Sequence, residues 1–143
     1  MPKVSTQNDG VTNPMLTSEV YSSVTIDDHQ VAILRDGRQA YPAMLEAMRL
    51  AQATLCLETY IYRDDATGLR FVEALIDRAN AGVEVLFMYD AWGSEISNDT
   101  IEKLTFAGVK VLAFRPMRYQ KSLNRFFAYM SRRNHRKSLT IDG

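Results

Sequence analysis

Two side chains near the end of the chain, the imidazole of His135 and the ammonium of Lys137, are of the types that handle phosphate esters. On an extended strand, residues two apart point to the same side, so we expect both to project into one space. An imidazole can attack phosphorus or carry a proton near neutral pH, and a fixed cation beside it can hold the phosphate oxygens as charge builds up. Taken alone, the same residues could also form a basic edge strand without a catalytic role.

The elements that would position this pair form an alternating series. Apolar runs at 55–62, 83–89 and 109–111 predict buried strands, and apolar residues at helical spacing between them predict two helices. Strand–helix–strand–helix–strand implies a parallel sheet with crossover helices, in which ligands collect at the carboxyl ends of the strands. The loop 90–94 would therefore lie at the working edge of the sheet.

Local signals assign the remaining segments. Residues 1–23 are polar and aperiodic, which predicts a flexible leader, and the 143 residues are enough for one α/β domain at 24–143. Residues 24–34 predict a hairpin. Asp99 and Glu102 are spaced as a capping box, which predicts how the second crossover helix begins.

Three polar residues lie where they could contribute to the site or serve only the fold. Asp90 and Ser94 could orient a histidine from the working edge, or they could only cap a turn. Glu58 interrupts an apolar strand, so its carboxylate must be paired or exposed at the strand end. We expect Glu58 to support the site and do not count it among the catalytic residues.

The run from 133 to 143, Arg-Asn-His-Arg-Lys-Ser-Leu-Thr-Ile-Asp-Gly, resembles the HKD signature of the phospholipase D superfamily, and its Asn-His-Arg-Lys wording is most similar to the bacterial cardiolipin synthase branch. Upstream landmarks of that branch are matched in order at 34–37, 41–44, 57–62, 90–94, 107–109 and 114–116. The resemblance thus extends over most of the chain. It implies half of an α/β/α sandwich with a mostly parallel or mixed sheet, cut off after the HKD strand.

The resemblance also implies a covalent phosphoryl transfer that uses neither metal nor cofactor. His135 would attack the phosphodiester to form a phosphohistidine, and Lys137 would bind phosphate oxygens. Asp142 completes the HKD set as a supporting residue; it lies seven positions from His135, so opposite strand parity argues against their direct partnership. A second HKD histidine would protonate the leaving alcohol. Since His29, the other histidine, has no matching setting, we expect the second half in a longer protein and this chain alone to be inactive.

Three functions follow from this resemblance and stay open at this point. The first is a phosphatidyltransferase that moves a phosphatidyl group between phosphatidylglycerol molecules. The second is a phospholipase D or nuclease of the same superfamily. The third is a module without catalysis that binds anionic lipid or nucleic acid.

Charge is unevenly distributed along the chain. Net charge is zero, yet residues 1–102 carry 16 acidic and 7 basic side chains, whereas residues 103–141 carry 10 basic and no acidic ones. A basic segment around His135 favours anionic partners, such as a membrane surface or nucleic acid. No apolar run reaches the length of a membrane span. These features predict a peripheral protein, and the resemblance to bacterial cardiolipin synthases implies the cytoplasmic face of a bacterial membrane.

Overall fold

A computed structural model describes residues 4–5, 22–27, 29–116 and 133–143. The chain divides into two compact units, Met1–Ala47 and Met48–Gly143. The stretch 115–133 mixes basic and aromatic residues, which suits a membrane interface as well as a nucleic acid. Its residues 117–132 lie outside the described part of the chain.

The first unit contains a three-stranded antiparallel sheet in the order β1-β2-β3, formed by β1 (Val4–Ser5), β2 (Ser22–Ile26) and β3 (His29–Ile33). The predicted hairpin is confirmed as β2–β3: Ile26 pairs with His29, and Asp27 adopts the positive φ, 52°, that two-residue hairpin turns require. Strand β1 falls within the range expected to be a leader. Helix α1 (Gly37–Leu50) begins in this unit and ends in the second.

The second unit is built on a mixed four-stranded sheet in the order β6-β5-β4-β7. Its strands are β4 (Thr54–Thr59), β5 (Glu84–Asp90), β6 (Lys110–Phe114) and β7 (Ser138–Ile141). The first three are parallel, as the sequence predicts, and β7 joins β4 in the antiparallel direction. The fold of this unit is therefore α/β with a mixed sheet.

Two crossover helices, α2 (Ala66–Asn80) and α3 (Asn98–Phe106), contact each other and pack on β5 and β6. Alternate strand residues and the facing helix residues form the core, which includes Leu55, Leu57, Leu75, Val85, Phe87 and Leu104. Gly82 and Gly108 end these helices at φ values of 87° and 93°, a conformation that glycine adopts without steric cost.

The predicted capping box at the start of α3 is wrong in its residues. Ser97 is the N-cap, and its hydroxyl accepts from the backbone N–H of Thr100. Asp64 reaches the same helix end and accepts from the N–H of Ser97 and the hydroxyl of Thr100. Ser97 caps the helix locally, and Asp64, 33 positions earlier in the sequence, adds a second acceptor that the local pattern does not contain.

Candidate active site

The segment that carries His135 and Lys137 is not a strand. Residues 133–137 form an irregular approach to β7, which begins only at Ser138, so the two-residue periodicity of a strand does not explain why the pair meets. Both side chains are exposed, and the ammonium of Lys137 donates to the backbone carbonyl of His135 at 3.0 Å. The segment reaches the sheet where β4 ends, because Ser138 pairs with Glu58.

Tyr60, directly after β4, is the side chain that joins the pair. The imidazole of His135 stacks on its ring with centroids 3.9 Å apart and an interplanar angle of 23°. The Nζ of Lys137 lies 5.2 Å from the same ring centroid, within the range of a cation–π contact. One phenol ring thus holds an imidazole and an ammonium group side by side. We did not identify Tyr60 from the sequence, although an aromatic residue at the carboxyl end of a buried strand was an available signal.

Asp90, the last residue of β5, anchors the segment from below. Its carboxylate is fully buried; Oδ1 accepts from the N–H groups of Trp92 at 2.9 Å and Gly93 at 3.2 Å, and Oδ2 accepts from the N–H of Asn134 at 3.0 Å. The buried guanidinium of Arg133 lies 3.5 Å from Oδ1. Burial raises the pKa of Asp90, but the hydrogen bonds from Asn134, Trp92 and Gly93 and the charge of Arg133 outweigh it and lower the pKa.

Glu58 holds the same segment from the neighbouring strand. Its Oε1 accepts from the side-chain amide of Asn134 at 2.5 Å, and its Oε2 accepts from the hydroxyl of Ser138 at 3.3 Å. Asn134 therefore bridges two carboxylates, Asp90 through its backbone and Glu58 through its side chain. The Glu58 carboxylate in the apolar strand β4 is therefore paired. Its two partners, Asn134 and Ser138, lie on either side of His135 in the sequence.

Ser94 and Gly93 fix the backbone under Tyr60. The hydroxyl of Ser94 accepts from the N–H of Tyr62 at 3.0 Å and donates to the carbonyl of Tyr60 at 3.2 Å. A side chain on Gly93 would not fit, because its Cβ would lie 2.4 Å from that same carbonyl oxygen. Asp90 caps the turn after β5 and also binds the residue before His135, whereas Ser94 bonds to the backbone of Tyr60 and Tyr62. Among the described residues neither side chain bonds to His135 directly.

Asp142 lies at the other end of the sheet. Its carboxylate accepts from the N–H groups of Gln52, Ala53 and Thr54 at 2.7–2.8 Å, and its own N–H donates to the carbonyl of Thr54 at 3.0 Å. Hydrogen bonds from Thr54, Ala53 and Gln52 lower its pKa. Thr54 and Tyr60 are six residues apart along an extended backbone, which separates this clamp from Tyr60 by roughly 20 Å. Asp142 therefore supports the fold and is not brought to His135 and Lys137, because the turn after β7 directs it to the start of β4.

The arrangement at the carboxyl edge suits a negatively charged ester. An exposed imidazole and an exposed ammonium share one aromatic support, while the acids beneath them are occupied by Asn134, Arg133 and backbone N–H groups. Among the described residues, Asp90 and Glu58, the two carboxylates that hold this segment, are both paired, which lowers their repulsion of an anionic ester. Within the described ranges, no three His, Cys, Asp or Glu side chains are grouped as metal ligands. None of the helices in the same ranges has the length and apolar character of a membrane span.

Comparison with known proteins gives a consistent group of relatives. The chain is 39% identical over 115 residues to a cardiolipin synthase of Geobacillus thermodenitrificans and 33% identical over 114 residues to a probable cardiolipin synthase of Bacillus subtilis. It is 37% identical over 120 residues to cardiolipin synthase A of Pseudomonas aeruginosa. A scan against models of protein families gives no match.

These alignments cover most of this chain and a small part of each relative. They include 79–83% of the chain but only 22–24% of the three relatives. The chain thus spans about a fifth to a quarter of the length of these relatives. The names of these relatives describe whole proteins, of which the aligned segment is only a part.

Proposed function

Because the chain belongs to the bacterial cardiolipin synthase branch of the phospholipase D superfamily, we propose that it supplies the nucleophilic half of a phosphatidyltransferase active site. The observation that carries this proposal is the exposed pair of His135 and Lys137 on the ring of Tyr60. The proposal includes the α/β/α sandwich half inferred from the HKD run, with 24–143 as its domain. It also includes a location at the cytoplasmic face of the membrane.

In the first step, an imidazole nitrogen of His135 attacks the phosphorus of phosphatidylglycerol. The bond from phosphorus to the glycerol oxygen breaks, and a proton from a second HKD histidine completes the released glycerol. Lys137 holds the non-bridging oxygens as their charge increases. The result is a phosphatidyl group bonded to His135.

In the second step, the terminal hydroxyl of another phosphatidylglycerol attacks the phosphohistidine. The second histidine, now neutral, takes the hydroxyl proton, and the nitrogen–phosphorus bond breaks to release a cardiolipin-type product. The second HKD copy belongs either to a longer protein that contains this chain or to an associated subunit. Residues 1–143 alone are expected to show no turnover.

The decisive experiment uses the purified product of the whole reading frame and phosphatidylglycerol labelled with ³²P. We expect a labelled cardiolipin-type product, free glycerol, and a protein-bound label that is stable in alkali and lost in acid, as a phosphohistidine is. His135→Ala should abolish both product and protein label, whereas His29→Ala, the matched change at the other histidine, should preserve them. Water-dependent release of phosphatidic acid or cleavage of DNA, without any cardiolipin-type product, would reject the transferase in favour of a hydrolase.

Tight binding of phosphatidylglycerol without either reaction would instead identify a non-catalytic module. Lipid binding would then have to persist in His135→Ala, because a non-catalytic module gives the imidazole no chemical role. Binding of lipid and DNA that weakens equally with salt would support this alternative.

A further inference from the structure

Two large apolar side chains are exposed beside the candidate site. Trp92, in the loop after β5, is 57% exposed, and Ile61, after β4, is 53% exposed. Their loops touch, because Gly93 lies against the carbonyl and ring of Tyr60. Both residues therefore sit at the carboxyl edge of the sheet; we call Ile61 and Trp92 the apolar rim.

Cations accompany this rim. Arg136 and Lys137 are exposed on the segment that stacks on Tyr60. The guanidinium of Arg133 lies 5.5 Å from the centre of the Trp92 ring, so one face of the indole covers the buried pair of Arg133 and Asp90. More than half of the indole surface nevertheless remains open to solvent. A single exposed apolar residue needs no explanation, but an indole and an aliphatic chain bordered by exposed cations form a specific chemical surface.

That surface matches the interface of an anionic bilayer. Tryptophan is enriched at the level of lipid head groups, aliphatic side chains enter the acyl boundary, and lysine and arginine gain energy from anionic lipid phosphates. Tyr60, on whose ring His135 stacks, is the neighbour of Ile61 in sequence and of Gly93 in space, so a membrane reached by the rim would place its phosphate layer near the imidazole.

We propose that the apolar rim inserts into the interface of a bilayer containing phosphatidylglycerol, with Arg136 and Lys137 facing the head-group phosphates. The inference deepens the proposed function, on which it rests for the choice of lipid, by assigning the surface that meets the membrane. Contact through this edge delivers the phosphodiester to the site from the bilayer, so the substrate need not leave the membrane.

Trp92 makes a direct test possible, because it is the single tryptophan of the chain. With vesicles of equal amounts of phosphatidylglycerol and phosphatidylcholine, we expect its emission to shift to the blue, its quenching by acrylamide to fall, and brominated lipid to quench it. Vesicles of phosphatidylcholine alone should have little effect. Emission that stays unchanged with the mixed vesicles, or that changes equally with both kinds, overturns the proposal.

Substitutions locate the contact. Ile61→Ala keeps the fluorescent reporter and should weaken vesicle affinity by roughly tenfold, as should Trp92→Ala measured by sedimentation. Phe106→Ala is the matched control: Phe106 is 97% exposed, but it lies at the end of α3 that leads to the opposite edge of the sheet. An equal loss of affinity in Phe106→Ala would show non-specific adsorption and overturn the assignment.

The test is separable from that of the catalytic proposal. His135→Ala should bind vesicles as the unchanged chain does, so vesicle binding and transferase activity can fail independently. Sedimentation without lipid tests the competing occupant of the rim, a second copy of the chain. Self-association that Ile61→Ala abolishes, together with an absence of vesicle binding, would replace the membrane with a protein interface.

Discussion

Tyr60 shows how a residue outside the HKD run can control the site. Its ring is the shared support of His135 and Lys137, and the Gly93–Ser94 loop fixes its backbone. Neither contact is encoded by the spacing of the two functional residues. The sequence predicts a role for His135 and Lys137, and that role stays a prediction, whereas the contact that brings them together involves a side chain 75 positions upstream of His135.

Substitutions of Tyr60 test whether its ring orients the imidazole of His135. In the unchanged chain, ring currents of the stacked phenol should place the imidazole proton resonances of His135 upfield of those of a solvent-exposed histidine. Tyr60→Leu should remove that displacement and lower kcat of the longer enzyme by roughly 10- to 100-fold, while Tyr60→Phe should preserve both. The resonances of His29 serve as an internal reference; a Tyr60→Leu spectrum with unmoved His135 signals would contradict the stacking.

Asp90 makes a pH-dependent contribution to stability. Its pKa in the folded chain is depressed, so the carboxylate stabilises the fold at any pH above the ordinary value of about 3.9 and this contribution is lost as the pH falls through the folded-state pKa. Asp90→Asn removes the charge opposite buried Arg133 and should reduce the free energy of unfolding by about 3 kcal/mol at pH 7.

Urea titrations of both proteins at pH 7 and near pH 3 measure this effect, and the difference between them should shrink at the lower pH. Glu73→Gln removes the same charge from an exposed position on α2 and should change stability by less than about 0.5 kcal/mol at either pH. A deficit of Asp90→Asn that stays constant with pH would rule out ionisation as its source.

At the level of elements, sequence patterns succeeded where the determining contacts are local or periodic. Continuous apolar strands and helix-spaced apolar residues predicted β4, β5, β6, α2 and α3, because the strand residues and helix faces that form the core are apolar and recur at regular spacing. The pattern failed for the approach to β7. There the backbone follows Asn134, whose partners are Asp90 and Glu58, 44 and 76 positions away. Buried polar contacts override the extended conformation that alternation alone suggests.

The Asp142 clamp gives an element-scale prediction. Asp142→Ala removes the acceptor of three backbone N–H groups, so hydrogen exchange at Gln52, Ala53 and Thr54 should accelerate. The amide of Phe87 in central strand β5 should keep its protection, and the His135 resonances should not move, since Asp142 lies at the far end of the sheet. Asp142→Asn, which retains one acceptor oxygen, should give intermediate rates. Loss of protection at Phe87 as well would indicate general unfolding in place of a local clamp.

For the whole molecule, the important electrostatic quantity is the distribution of charge. A chain with net charge zero has no overall attraction to an anionic membrane, yet its basic residues are concentrated between 103 and 141. The proposed attraction to an anionic membrane therefore depends on the basic segment, which contains Arg136 and Lys137, and not on the net charge. Under that proposal, a chain of zero net charge can still bind anionic lipid in preference to neutral lipid.

A salt series and two single substitutions test this dependence on the basic segment. Affinity for vesicles containing phosphatidylglycerol should fall steeply between roughly 0.05 and 0.5 M salt, because the Debye length shortens to a few ångströms over that range. Arg136→Gln should weaken binding at low salt by about fivefold, the usual contribution of one arginine near an anionic surface. Arg38→Gln carries the same charge change on an exposed residue of α1 outside the basic segment and should leave affinity unaltered. Equal losses for both arginines would mean that only total charge matters, and would contradict a specific role for the segment that carries Arg136.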